Sequence, residues 1–150
     1  MIFVLISVVG IAQCMWTYHG LAYAIREATR YTSVHGVNCT TAPNTCGATI
    51  GNIASVLKNA SPALLPNQLT VTFSPAAGSA TTDTLANLLL NNTAWPPSSP
   101  TGTNGVGKNV TISAVYSFYS PIAMFWPGTR PQSMLGLVYL SASSTDQIQF

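Results

Sequence analysis

From Met1 to Ile25 the chain reads MIFVLISVVGIAQCMWTYHGLAYAI and carries no charged residue. As an α-helix this run would be about 38 Å long at about 1.5 Å per residue. The hydrocarbon core of a bilayer is about 30 Å thick, so the run is long enough to cross one. A secretory signal peptide would want a basic start and a small-x-small cleavage site. The second is present as Ala22-Tyr23-Ala24, but no basic residue precedes Arg26. A buried core helix of a soluble protein would need other helices to wrap it, and the rest of the chain offers few. The remaining reading is a retained apolar helix, held first in membrane and later packed against copies of itself. Trp16, Tyr18 and Tyr23 suit the boundary between lipid and water. Gly10, Ala12, Gly20, Ala22 and Ala24 allow close approach of another helix. Candidate helix-helix assembly residues are Ile2, Leu5, Val9, Gly10, Met15, Trp16 and Gly20. His19 is expected to hydrogen-bond between helices, since no carboxylate or second histidine stands near it in sequence.

The helical pattern continues through REATRYTSVHG, where Glu27 and Arg30 are spaced to form an ion pair across one turn. Gly36 supplies a stop. The expected division is an apolar filament-core or transmembrane helix over 1–36 and an aqueous head over 37–150.

Only 5% of the residues are charged, against about 25% in an ordinary soluble domain. Hydroxyls and amides must therefore keep the head wet. The net charge of +2 comes from five scattered basic residues, with none of the clustering that a nucleic-acid surface requires. Three carboxylates, Glu27, Asp83 and Asp146, fall in three separate stretches. No pair is placed for general acid and base work, and no phosphate loop or nucleophile-elbow motif occurs. The expectation is a protein without catalytic residues, cofactor or metal. Cys39 and Cys46 flank the turn-rich TTAPNT and form a candidate disulfide for an exported chain. Asn38, Asn59, Asn91 and Asn109 head Asn-x-Ser/Thr triplets, a pattern that chance alone supplies often in an Asn- and Thr-rich chain, and are candidate glycosylation sites.

In the head, Ile50, Ile53, Ala54 and Leu57 mark one face of a short amphipathic helix that ends at Ser61-Pro62. Alternation at Leu69, Val71 and Phe73 predicts a half-buried strand. Val110, Ile112, Ala114, Tyr116 and Phe118 predict a second, and Leu135, Leu137 and Tyr139 a third. Three such strands with a helix on one face make an antiparallel α+β module. Long loops are expected over 75–108 and 119–133. Within the first, DTLANLLLNN reads as a short helix capped by Asp83 or as a strand. The second displays Met124, Phe125 and Trp126 between prolines, as a candidate partner loop or as a plug for the sheet edge.

Three features together resemble the TadE-like pilin family of tight-adherence secretion systems. They are the long apolar N-terminal helix, the segment Ile25-Arg26-Glu27-Ala28-Thr29-Arg30-Tyr31, and the closing strand with Ser141 to Thr145. Pilin-class helices usually carry a glutamate near the mature N-terminus, and this chain has Leu5 there. The resemblance implies a prepilin cleaved on the cytoplasmic side, held in membrane by its helix and drawn by pilus assembly machinery into a helical filament of identical subunits at the cell surface. A minor or priming pilin and a membrane-anchored surface binding module are the alternative expectations.

Overall fold

The computed structural model describes residues 2–35, 47–97, 104–120 and 137–149. Cys39, Cys46, Asn38 and the Met124-Phe125-Trp126 loop lie outside the described residues.

Helix α1 spans Ile2–Val34 without a break. Its second half carries Leu21, Ala24, Ile25, Ala28, Thr29, Thr32 and Ser33, all buried. That spacing of three and four places them on a single face. The buried hydroxyls are absorbed locally: Thr29 Oγ1 donates to Ile25 O and Thr32 Oγ1 to Ala28 O, each at 2.8 Å. Bonds of this kind satisfy a polar group without a partner from another element.

Helix α2 (Ile50–Ala60) buries the four residues expected, Ile50, Ile53, Ala54 and Leu57. Thr49 caps it, accepting from the Asn52 N–H at 3.2 Å. Strand β1 (Leu69–Ser74) buries Leu69, Val71 and Phe73. Strand β3 (Asn109–Tyr119) buries Val110, Ile112, Ala114 and Tyr116. The segment expected as a helix or a strand, 83–92, holds the single-turn α3 (Leu85–Leu88), and β2 (Thr81–Thr84), half of which precedes that segment, leads directly into it. The residue preceding α3 is Thr84 and not Asp83, and its side chain makes no capping bond. Asp83 lies one residue too early for that role and sits in β2.

With β4 (Leu137–Gln147) the strands form one antiparallel sheet in the order β2-β1-β3-β4. It has four strands where the sequence suggested three. The 75–108 stretch expected as loop thus contains an edge strand and a helical turn. In β2 only polar residues, Thr-Thr-Asp-Thr, occupy the strand, so no apolar alternation announces it.

Helices cover one face of this sheet. The second half of α1 packs on β3, β4 and α2, and α3 packs on α2, β1 and β2. Phe73 and Trp95 meet edge to face at 5.4 Å between ring centres. The loops at the hairpin end are held by Asn104, which is buried. Its side-chain oxygen accepts from the Ala77 N–H, and its side-chain nitrogen donates to Ala77 O and Pro97 O.

In β4 the inward phase differs from the expected one. Leu140 is buried and Ala142 half-buried, and Ile148, just past the strand end, is buried, whereas Tyr139 is 65% exposed. Register explains the reversal. Tyr116 pairs with Leu140 and Ala114 with Ala142, and residues paired across an antiparallel ladder share a face. The inward residues of β3 therefore bring in the even positions of β4.

The opposite sheet face is paved with hydroxyls. Thr82, Thr72, Ser113 and Ser143 line up across all four strands. Thr72 and Thr82 bond to each other at 2.9 Å, and Thr111 and Thr145 at 2.8 Å.

Candidate assembly surface on the first helix

Helix α1 changes character within one turn. Among the described side chains up to residue 20, Val4, Leu5, Val8, Val9, Ile11, Met15 and Trp16 are exposed, while Ile6 and Cys14 are half-buried. From Leu21 onward one face is sealed in the core. The first half therefore projects from the head as an apolar rod, and among the described residues this is the one helix long and apolar enough to cross a membrane. A contiguous apolar surface of that size marks contact with a partner or a membrane.

The structure places Leu5, Val9, Met15 and Trp16 outward on that rod. Gly10 is screened within the helix. Gly20 serves a contact inside the chain: a Cβ there would stand 2.9 Å from Ser61 Oγ at the end of α2. Around this crossing Trp16, His19, Gly20 and Tyr23 face Ala60, Ser61, Pro62 and Ala63 across a groove of about 400 Å³. The groove was not foreseen from sequence. Gly20 was its signal, since a small residue admits a neighbour whether it belongs to another copy or to the same chain.

Glu27 is half-buried and Arg30 exposed. No ion pair joins them among the described residues, because a solvated guanidinium gains little from such a contact. His19 is exposed and lies edge-on to Tyr18 at 6.0 Å. Cys14 is a free thiol, half-buried beside the core. At the far end of α1, His35 stacks on Tyr31 at 4.0 Å. The Gln149 N–H donates to Ser33 O at 2.9 Å, so the chain after β4 ties down the last turn of the helix.

Asn59 and Asn109 are exposed, while Asn91 is half-buried and accepts from the Thr93 N–H at 2.9 Å. Asp83 is exposed on the edge strand β2. The Asn87 side-chain amide and the Thr84 N–H both donate to its carboxylate and hold it below its ordinary value. Among the described residues no cluster of three or more His, Cys, Asp or Glu is placed to bind a metal ion. No protein-family model, curated protein or solved structure matches this chain.

Proposed function

We propose that this chain is a structural subunit of an extracellular pilus-like filament, polymerising through the exposed first half of α1. One observation carries the reading. The same helix is core on one face over its second half, while over its first Leu5, Val9, Met15 and Trp16 are exposed. Burying a large apolar side chain contributes roughly 1.5–3 kcal/mol, so the rod has to be covered. Lipid covers it before assembly, and neighbouring rods cover it in the fibre. Contacts that repeat head to tail without closing generate a helical polymer, so no symmetric dimer face is needed. The hydroxyl-paved sheet face and the loops then form the outer wall, which fits a surface with so few charges.

The resemblance to TadE-like pilins supports the same assignment, with membrane residence first and extraction by assembly machinery afterwards. Electron microscopy of sheared cell-surface material, with mass spectrometry of the fibres, tests it. Fibres composed of this chain are the expected result. Recovery of the chain solely in the membrane fraction overturns the major-subunit reading in favour of a minor or anchored protein.

A further inference from the structure

We propose that the outer face of the sheet binds a neutral polysaccharide, with Tyr119 and Tyr139 as its stacking platform. The inference concerns a different surface from the proposed function and does not require a fibre. Register decides what this face carries. Tyr119 pairs with Leu137 and Ser117 with Tyr139, while buried Tyr116 pairs with buried Leu140, so the odd positions of β3 and β4 share the outer side. The strands bear two carboxylates, and both lie on the other phase: Asp83 pairs with Val71 and Asp146 with Val110, each a buried inward residue. No basic residue occurs within the four strands. Among the described residues, every outward position of the strands is therefore Ser, Thr, Asn, Gln, Tyr, Val or Leu.

That composition selects the ligand. Nucleic acid, lipid phosphate and acidic glycans need cations to hold them, and the strands place none on this face. What they place there is hydroxyls, in rows about 4.8 Å apart across the strands and about 6.7 Å apart along them. Thr72 bonds to Thr82 and Thr111 to Thr145. A hydroxyl has one donor and two lone pairs, so each bonded pair keeps one O–H and spare lone pairs for a ligand. At one end of the face Tyr119 and Tyr139 are both exposed and stand diagonally across β3 and β4, within reach of each other. Tyrosine supplies a large, rigid contact with a polar tip at low entropic cost. A sugar matches both features, since the C–H face of its ring packs on an aromatic ring while its hydroxyls exchange hydrogen bonds with the Ser and Thr rows. The apolar rod of a second copy matches the tyrosines only, because covering the hydroxyl rows with hydrocarbon strips them of water without return. The rows run on beyond the tyrosines through all four strands, so a polymer gains contacts that a single sugar does not.

The full chain in detergent, mixed with insoluble cellulose, chitin or starch and with alginate beads as the anionic control, provides the test. The expected result is retention on at least one of the three neutral polymers, competed by soluble oligosaccharides of the same polymer. Changing Tyr119→Ser and Tyr139→Ser together should lower that retention by roughly tenfold, and Thr72→Glu, which sets a charge among the hydroxyl rows, should lower it with the tyrosines intact. Denaturant unfolding checks that both variants keep the parent fold, as expected for side chains on the outer face. Retention on none of the neutral polymers, or on alginate alone, overturns the proposal. Retention that survives in both folded variants places the binding elsewhere and overturns it as well. Tyrosine substitutions that alter self-association while leaving polysaccharide retention unchanged assign the face to a second copy, which also overturns it.

Discussion

Gly20 and Ser61 stand so close that a Cβ on the glycine would lie 2.9 Å from the serine Oγ. This is where the rod becomes part of the head, and it brings two opposing effects to one position. Alanine is favoured over glycine in a helix by about 0.8–1 kcal/mol, but here its methyl requires Ser61 to move. Gly20→Ala is expected to stabilise the Ser61→Ala protein by about 0.5–1 kcal/mol and to stabilise the parent by clearly less. A double-mutant cycle read by urea unfolding in detergent measures the coupling. Additive effects would show that the contact is not felt.

Val9 and Ala28 occupy the same helix and should behave oppositely. Val9 is exposed on the rod and Ala28 is wholly buried under the sheet. Val9→Asp places a charge in the span, at about 2.5–3.5 kcal/mol on insertion scales, so membrane retention and fibre yield should fall while head unfolding is unchanged. Ala28→Leu overpacks the head and should cost about 1–3 kcal/mol. Fractionation and denaturant unfolding, run on both variants, check the contrast.

Phe73 is fully buried and meets Trp95 edge to face. Phe73→Ala is expected to cost about 3–5 kcal/mol through lost transfer energy and the cavity left behind. A loss below 1 kcal/mol by denaturant unfolding would mean that this region collapses freely.

Asp83 forms an acid-sensitive element at the edge of the sheet, where the Asn87 amide and the Thr84 N–H donate to its carboxylate. Its carboxyl is held below the ordinary aspartate range by donation from Asn87 and Thr84. A carboxylate depressed on folding adds stability that is present above its unfolded value and lost as pH falls through its folded value. Stability should therefore decline as the solution is acidified below about pH 4, and Asp83→Asn should flatten that decline. Carboxyl titration by NMR, with the Asp83 midpoint below the ordinary aspartate range, is the direct check. Because the group is exposed, the effect is small.

Much of the fold was legible because it repeats locally. The face of α2 through Ile50, Ile53, Ala54 and Leu57, and the alternation through β1 and β3, are properties of a few neighbouring residues, and the structure buries them with Phe118 half-buried at the end of the series. Strand β2 was not legible, because four polar residues at a sheet edge bury nothing that a pattern could reveal. Asn104 was equally hidden, since its importance lies in reaching Ala77 and Pro97 across the chain. The outward rod residues Leu5, Val9, Met15 and Trp16 were legible as apolar, but hydropathy does not tell which half of a helix is covered.

The order of residues alone determined that this chain opens with an uninterrupted apolar helix and continues as a weakly charged α+β head, because charge, hydropathy and periodicity are local quantities. Only the tertiary structure decided where that helix enters the head and which phase of β4 points inward. Both depend on partners distant in sequence: Ser61 closes on Gly20, and Tyr116 and Ala114 pair with Leu140 and Ala142. A one-residue change of strand register reverses every side chain, and no stretch of β4 read by itself contains that choice.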